Sequence, residues 1–285
     1  MHNLLRDFIT LYLVFFRGDY FRKEFKNLAT VRCLIPSSVH IMVMTATATT
    51  TTRDAIIRIL ELIDPAVIMA SPDKPNITYT VCEKMSIECT FAPVLEKIRE
   101  SRCRMPRIII FCRRCEECAE IYHFFYSALR KEFTEPVGAP NLAMFRLVDM
   151  YTSVTRKPIK DSIIASFVKP DTPLRIVICT IAFGMGIDCS DVHQVIHWGP
   201  SSDIESYVQE CGRAGRNGQM ANALLYWKKG DFRHHTISKD MEIYCLNVDV
   251  CRRRMLMSFF NCTFETRLGC KCCDLCAISC HCNTC

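Results

Sequence analysis

The chain has 285 residues, of which 49% are hydrophobic, and it carries a formal net charge of +6. This apolar content is enough for the core of one large domain or two modest ones and excludes a disordered chain, whereas the mild positive charge fits a nucleic-acid surface and an ordinary basic protein equally well. No stretch reaches the ~18 apolar residues of a membrane span. The chain contains 20 cysteines, but secreted disulfide scaffolds are small, and this chain is long. We therefore expect an intracellular protein.

The first patterned elements are a buried strand at Val39–Met44 and a helix at Thr50–Leu62. The apolar opening MHNLLRDFITLYLVFF has no evident partner elsewhere in the chain. Thr45 and Thr47 follow the strand, where such residues either hydrogen bond in a cleft or belong to a helix cap.

From Asn76 onward, strand and helix patterns alternate. This alternation predicts an α/β fold, in which helices cover both faces of a parallel sheet. The expected strands are Ile77–Cys82, Arg107–Phe111, Met144–Tyr151, Arg175–Cys179 and Gln194–Trp198, and the expected helices are Phe91–Glu100, Cys115–Lys131, Lys157–Phe167 and one through Ile204–Gln209.

Two arginines, Arg113 and Arg114, follow the expected strand at Arg107–Phe111. At the carboxyl end of a strand they either bind a DNA phosphate or form a solvated pair. The neighbouring Cys112, Cys115 and Cys118 have the spacing C-x2-C-x2-C. Because the first ends a strand and the others enter a helix, incidental thiols are favoured over a metal site.

The stretch from Leu174 to Asn217 carries the clearest functional signal. A β-branched strand there ends in a glycine-containing loop, and Thr180 and Asp188 lie in that loop. In open α/β sheets, ligands bind at the edge where the carboxyl ends of the strands lie. The loop is therefore placed to meet a phosphate or a sugar hydroxyl. The following helix delivers Arg213 and Arg216 from a turn that contains three glycines. A planar guanidinium suits the binding of phosphate oxygens. Taken by itself, however, the GRAGR sequence would be explained better as a solvated basic turn.

Two segments resemble motifs V and VI of superfamily 2 helicases: TIAFGMGID (Thr180–Asp188) and QECGRAGRNG (Gln209–Gly218). The sequences of both segments are similar to those of the RecQ family of DNA helicases. The resemblance implies a RecA-like sheet. It further implies that Thr180 contacts the nucleic-acid backbone and that Gly186 and Asp188 bind the nucleotide.

The same resemblance assigns catalytic roles to residues of the arginine-rich turn. Gln209 and Arg213 would face the nucleotide cleft, and Arg216 would be the arginine finger, a residue worth roughly 10³ to 10⁵ in rate in GTPase systems. GDYFRKEFKNLATVRCLIPSSVHIMVMTATAT (Gly18–Thr49) resembles the end of a RecQ first motor domain. Phe21 and Arg22 match its aromatic-rich loop, a DNA-binding element.

The C-terminal part contains ten of the cysteines between Cys245 and Cys285. The spacing C-x18-C-x2-C-x2-C over Cys251, Cys270, Cys273 and Cys276 predicts a closed tetrahedral zinc site. Which of the adjacent cysteines, Cys272 or Cys273, is a ligand stays open. CRRRMLMSFF followed by CKCCDLC resembles the zinc-binding subdomain that follows the RecQ motor, and the last cysteines with His281 form either a second ion site or an unstructured tail.

The sequence thus predicts three parts: residues 1–75 as the remnant of a first RecA-like motor domain, 76–229 as the second, and 230–285 as a small helical zinc-binding subdomain. The resemblance implies an ATP-dependent DNA helicase that moves 3′ to 5′ along single-stranded or partly duplex DNA, acts in repair, recombination or replication, uses Zn²⁺, ATP and Mg²⁺, and is nuclear, or cytoplasmic in a prokaryote.

The motifs that bind ATP in such enzymes are missing from these 285 residues. None of the ten glycines precedes a lysine, and no aspartate is followed directly by glutamate, so a P-loop and a metal-holding Asp-Glu pair are lacking. We therefore expect an N-terminally truncated helicase that does not hydrolyse ATP alone. The alternatives are a non-catalytic, zinc-stabilised DNA-binding module and, less favoured by the cysteine spacing, a fragment of an RNA helicase.

Overall fold

The computed structural model describes residues 8–12, 34, 39–45, 47–184, 189–233, 236–262 and 269–281. The chain divides into two compact units, Met1–Asp73 with Met257–Thr263 and Lys74–Leu256 with Phe264–Cys285. Within the described ranges, no helix combines the length and the apolar character that crossing a membrane requires.

The described part of the first unit includes two parallel strands and a helix. Strand β1 (Phe8–Tyr12) pairs with β2 (His40–Met44), so part of the apolar opening has a partner within the chain, contrary to the expectation. Helix α1 (Thr50–Ile59) begins after Thr49, whose hydroxyl accepts a hydrogen bond from the Thr52 amide at 3.2 Å. The threonine run therefore contains a helix cap.

Six strands of the second unit form one parallel sheet with the order β3-β8-β7-β4-β6-β5. Its strands are β3 (Ile77–Glu83), β4 (Arg107–Cys112), β5 (Val148–Tyr151), β6 (Ile176–Cys179), β7 (Val192–Trp198) and β8 (Ala221–Trp227). The predicted parallel α/β sheet is confirmed. Strand β5 begins later than the predicted Met144, because Ala143–Phe145 form a 3-10 turn before it.

In the part of the chain that the structure describes, seven helices follow the strands of this sheet or lie beyond it. They are α2 (Ile87–Ser101), α3 (Cys115–Leu129), α4 (Lys157–Val168), α5 (Ile204–Cys211), α6 (Lys239–Leu246), α7 (Arg252–Phe259) and α8 (Asp274–Ile278). Asp203 caps α5, because its carboxylate accepts a hydrogen bond from the Ser206 amide at 2.7 Å.

Strand β4 lies inside the sheet and is buried at every position, as expected for a parallel strand covered on both faces. On one face, Ile110 joins a core with Phe125 of α3. On the other face, the ring of Phe111 stacks on His197 at 5.3 Å, and His197 contacts Tyr207 of α5 at 5.0 Å between ring centroids. Helices therefore cover both faces of the sheet.

Candidate functional site

The arginine turn, Gly212–Gly218, follows directly on α5 and begins as a continuation of that helix. The Gly212 amide donates to the Val208 carbonyl at 2.9 Å, and the Arg213 amide donates to the Glu210 carbonyl at 3.2 Å. Arg213 is buried, with 6% of its surface exposed, whereas Arg216 is exposed. The two predicted catalytic arginines therefore occupy different environments in one turn.

Three residues outside the turn fix its backbone. Lys74 Nζ donates to the Gly212 carbonyl at 2.5 Å, and Asn76 Nδ2 donates to the carbonyls of Gly215 and Gln219 at 2.8 and 2.7 Å. The Gly215 amide donates to the Val192 carbonyl at 2.9 Å. Burial lowers the pKa of Lys74, and the charge of Arg216 lowers it further. The arginines thus start from a backbone that is held before any ligand binds, as a preorganised site requires.

Gly215 is a position that only glycine fits. Its φ is +60°, and a Cβ atom there would lie 2.3 Å from Asn76 Nδ2 and 2.9 Å from the Gln219 carbonyl oxygen. The left-handed backbone and the close approach of Asn76 both exclude a side chain. The glycine therefore permits the hydrogen bonds that hold the turn.

A buried polar network holds the last turn of α5 against the sheet. His197 Nε2 lies 3.1 Å from Glu210 Oε2, and the Ser201 hydroxyl donates to the same oxygen at 2.7 Å. Glu210 has 1% of its surface exposed, and a buried carboxylate requires such partners. Gln209, the third predicted catalytic residue, is half-buried in the same helical turn.

Thr180 and the pair Arg113 and Arg114 lie at the other edge of the sheet, after the ends of β6 and β4. Arg113 donates to the Asp231 carbonyl at 3.0 Å and to Thr236 Oγ1 at 2.6 Å. Arg114 has a side chain that is 69% exposed and lies 3.4 Å from Glu117 Oε1. Of the predicted pair, Arg113 is engaged within the protein, and Arg114 is the one that faces solvent.

The predicted residues therefore divide between two edges. The arginine turn bonds to Val192, the first residue of β7, and to Asn76, which precedes β3. It lies at the amino edge, whereas Thr180 and Arg114 lie at the carboxyl edge. A seven-residue strand such as β7 spans about 23 Å. Arg216 and Thr180 are too far apart to bind the same small group, so a ligand that touches both must be extended or must consist of two molecules.

Four predicted residues have no description in the structure. Gly186 and Asp188, expected to bind the nucleotide, and Phe21 and Arg22, expected to bind DNA, lie outside the described residues. Their roles remain predictions from the family resemblance.

The cysteine cluster consists of Cys251, Cys272, Cys273 and Cys276, whose sulfur atoms all lie within 4.8 Å of one another. Cys251 Sγ is 3.5 Å from Cys272 Sγ and 3.9 Å from Cys273 Sγ. For a Zn–S distance of about 2.3 Å, tetrahedral geometry places sulfur atoms about 3.8 Å apart. The donor set and its spacing therefore fit a zinc ion.

Cys272 occupies the position in this cluster that the sequence spacing had assigned to Cys270. The Tyr79 amide donates to the Cys272 carbonyl at 3.4 Å, and the Thr78 hydroxyl donates to the Lys271 carbonyl at 2.7 Å. These two hydrogen bonds attach the backbone of Lys271 and Cys272 to β3, the edge strand of the sheet. Cys270 lies in the 3-10 turn Gly269–Lys271 that precedes this attachment. The cluster thus contains three of the four predicted cysteines, Cys251, Cys273 and Cys276, together with Cys272, the neighbour at which the register had been left open.

The thiols of the cluster differ in their tendency to ionise. Hydrogen bonds from Cys272 and Cys273 lower the pKa of Cys251 far below its usual value. Burial, together with hydrogen bonds to Cys251 and Cys273, raises the pKa of Cys276 to about 12. Metal binding to such a cluster releases protons from the thiols that are protonated, because each ligand binds as a thiolate.

Sequence reasoning missed the residues that hold these two sites. Lys74 and Asn76 support the arginine turn, and the buried Arg252 and Arg253 follow the first cluster cysteine. The signal available for the arginines was their position directly after Cys251. Lys74 and Asn76 precede β3 in an ordinary polar segment, and their partners lie more than 130 residues away, so local sequence gives no signal for them.

Comparisons with known proteins agree with this architecture. The profile of the helicase conserved C-terminal domain matches residues 92–218. ATP-dependent DNA helicase RecQ of Pasteurella multocida is 31% identical over 284 residues, covering 91% of this chain and 39% of that protein. ATP-dependent DNA helicase Q-like 2 of Arabidopsis thaliana is 28% identical over 275 residues, covering 92% of this chain and 36% of that protein. The chain spans about two-fifths of the length of these relatives.

Among solved structures, Dbp5 of Saccharomyces cerevisiae bound to RNA and ADP BeF3 matches with a TM-score of 0.60 and 14% identity, covering 89% of this chain and 63% of that chain. At that identity the match shows the fold, a RecA-like parallel sheet with helices, and nothing about the ligand. The sequence relatives supply the narrower assignment: this chain belongs to the RecQ-like helicases of superfamily 2.

Proposed function

We propose that this chain is the second motor part of a RecQ-like, ATP-dependent DNA helicase, which moves 3′ to 5′ on single-stranded or partly duplex DNA in repair, recombination or replication. The observation that carries this proposal is the arginine turn. Its backbone is fixed by Lys74, Asn76 and Val192, and it presents Arg216 to solvent. An arginine that is carried on a preorganised backbone at the surface suits the stabilisation of a transferring phosphoryl group.

In this proposal, the amino edge of the sheet faces the nucleotide. ATP with Mg²⁺ supplies the phosphoryl group, and the chain's residues supply positive charge and positioning. Arg216 stabilises the charge that develops on the phosphoryl group, and Gln209 and the buried Arg213 complete that side of the cleft. Gly186 and Asp188 bind the nucleotide itself, as the family resemblance implies.

The carboxyl edge of the sheet binds the DNA backbone. Thr180 offers a hydroxyl there, and Arg114 offers an exposed guanidinium. Contacts to phosphate position a strand without reading its sequence. The separation of the two edges supports a division of labour, in which nucleotide and DNA are bound at different places and coupled through the sheet.

Zinc binding by the cysteine cluster is the third part of the proposal. The four thiols would hold Zn²⁺ in a closed site, whose role is structural because all four positions come from the protein. The proposed work on DNA implies a nuclear location if the source is a eukaryote and a cytoplasmic one if it is a prokaryote.

The test compares nucleic-acid binding with ATP hydrolysis by the purified chain. Labelled oligothymidine and oligouridine of equal length are titrated at two salt concentrations. We expect weak binding that favours DNA and decreases with salt, together with no ATP hydrolysis. Thr180→Val should weaken binding, and Arg216→Ala, at the other edge, should leave it unchanged.

Three results would contradict the proposal in different ways. Absence of binding at low salt would reject the DNA role of this chain, and stronger binding of oligouridine would favour the RNA helicase alternative. DNA-stimulated phosphate release that Arg216→Ala abolishes would show that the chain is catalytically complete.

A non-catalytic, zinc-stabilised DNA-binding module is the second candidate, favoured by the lack of a P-loop in these 285 residues. Both candidates predict DNA binding without hydrolysis. The transcript upstream of Met1 distinguishes them, because a motor requires an encoded G-x-x-x-x-G-K-[ST] loop and a module does not.

A further inference from the structure

The segment Lys74–Ile77 lies between the arginine turn and the cysteine cluster and forms four hydrogen bonds with the turn and with the three residues that follow it. Lys74 Nζ bonds to Gly212, and Asn76 Nδ2 bonds to Gly215 and Gln219. The Asn76 carbonyl accepts from the Ala221 amide at 2.9 Å. The position of this short segment therefore sets the position of the turn.

Arg253 attaches the same segment to the cysteine cluster. Its guanidinium donates to the Lys74 carbonyl at 2.9 Å and also to the Ile77 carbonyl. It lies 5.2 Å from the centre of the Tyr79 ring, and the Tyr79 amide donates to the Cys272 carbonyl at 3.4 Å. Arg253 has 0% of its surface exposed. A buried guanidinium cannot exchange these partners for water, so a change at Cys272 must be accommodated by the segment.

We propose that Arg253 is a positioning residue that makes the geometry of the arginine turn depend on the metal state of the cysteine cluster. The connection runs from Cys251 along the chain to Arg253 and from Cys272 through Tyr79 to Arg253. It continues from Arg253 to the carbonyls of Lys74 and Ile77, and from Lys74 and Asn76 to the turn. Metal binding fixes Cys251, which lies two residues before Arg253, and Cys272, whose carbonyl accepts from Tyr79. The functional meaning of the coupling rests on the proposed role of Arg216, whereas the coupling itself does not.

The experiment is hydrogen–deuterium exchange on the full chain, loaded with Zn²⁺ or treated with a chelator. The informative amides are Gly215, which donates to Val192, and Ala221, which donates to Asn76. We expect chelation to accelerate their exchange roughly tenfold, the effect of weakening about one hydrogen bond each. Amides of β4, in the middle of the sheet, should exchange at an unchanged rate.

Variants test each step of the connection. Asn76→Ala removes the side-chain bonds to Gly215 and Gln219 while keeping the backbone carbonyl. The amides of Gly215 and Ala221 should therefore exchange fast in both metal states, with unchanged zinc content. Arg253→Gln should make the turn insensitive to chelation. Arg254→Gln is the matched control, because Arg254 is the adjacent arginine and is exposed, and it should behave like the unmodified chain.

Unchanged exchange of Gly215 and Ala221 on chelation would overturn the proposal, and so would acceleration that extends equally to β4, which would report global unfolding. If Arg253→Gln does not fold, Asn76→Ala decides: a turn that still responds fully to chelation rejects the connection through Asn76. None of these measurements uses DNA or ATP. The coupling can therefore hold while DNA binding fails, or fail while DNA binding holds.

Discussion

Strand β4 and the segment 269–281 are stabilised by different physical effects, although both belong to the second unit. Every side chain of β4 is buried in the sheet, whereas within 269–281 the buried side chains are Cys272 and Cys273. Removal of apolar surface from water stabilises the first. The second has too little of that surface and depends on the cysteine cluster and on its attachment to β3. The stability of the two regions should therefore respond to different perturbations.

The largest expected effect is the loss of the cysteine segment on Cys273→Ser. Cys273 Sγ also accepts a hydrogen bond from the Cys276 amide at 3.4 Å at the start of α8, and serine preserves that cap. The substitution therefore isolates the metal ligand, and structural zinc sites contribute about 10–16 kcal/mol in small zinc peptides. We expect zinc content to fall and proteases to cut the 269–281 segment.

Cys280→Ser is the control for this prediction, because Cys280 lies in the same segment but outside the cluster. It should retain zinc and protease resistance. Equal zinc content and equal resistance in the Cys273→Ser variant would exclude the site as assigned.

The second prediction compares two isoleucines, one from each region. Ile110 of β4 is fully buried, and Ile278 of α8 is 82% exposed. Ile110→Ala should lower the free energy of unfolding by about 2–5 kcal/mol through lost burial and a cavity. Ile278→Ala should change it by less than about 0.5 kcal/mol. Urea denaturation of the zinc-loaded chain measures both, and similar values would mean that apolar burial also stabilises the cysteine segment.

The sheet was largely predictable because its strands carry their own signal. Ile108–Phe111 and Ile176–Cys179 are apolar at consecutive positions, as strands buried on both faces are. Strand β8 received no predicted range, although its buried positions alternate with less buried ones. Its place between β3 and β7 is set by pairing with residues far away in sequence, which a local pattern does not contain.

The identities of the candidate functional residues could be predicted from the sequence, but their positions relative to one another could not. The resemblance to helicase motifs selected Thr180 and Arg216, yet their separation to opposite edges follows from the course of α5, which starts at the carboxyl edge and ends at the amino edge. The presence of Cys272 in the cluster in place of Cys270 follows from the bond between the Tyr79 amide and Cys272. Spacing alone cannot contain a contact with a strand nearly 200 residues earlier.

The third prediction concerns the arginine turn, where the backbone and not the apolar core is decisive. Gly215→Ala places a methyl group 2.3 Å from Asn76 Nδ2 at a φ of +60°. We expect a loss of about 1–3 kcal/mol in the free energy of unfolding, from left-handed strain plus displacement of Asn76. Turn amides should exchange faster as well.

Gly218→Ala separates the two causes, because Gly218 has a φ of +81° with no atom within 4 Å of the added Cβ. It should show the backbone strain alone, and thus a smaller loss. Equal losses at the two positions would mean that the contact with Asn76 contributes nothing.

The smallest expected effect is a pH dependence of stability. It arises from a buried thiol of the sheet unit, whose pKa is shifted in the opposite direction to that of Cys251 in the cluster. Burial and a hydrogen bond with Asp191 raise the pKa of Cys189 from 9.0 to about 12. Because the folded pKa exceeds the unfolded one, the contribution of Cys189 to stability is fully present below pH 9 and is lost as the pH rises towards 12. The free energy of unfolding should therefore fall with pH in this window, by at most about 1.4 kcal/mol per pH unit for one thiol.

Urea denaturation at constant zinc between pH 8 and pH 10.5, about the accessible part of that window, measures the slope. Cys189→Ala should flatten it, and Cys89→Ala, at an exposed position, should leave it unchanged. The pKa of Cys251 is shifted in the opposite direction, since hydrogen bonds from the neighbouring thiols lower it. If Cys189→Ala leaves the alkaline slope unchanged, this thiol does not behave as a buried apolar group, and the distinction between sheet thiols and cluster thiols fails at that position.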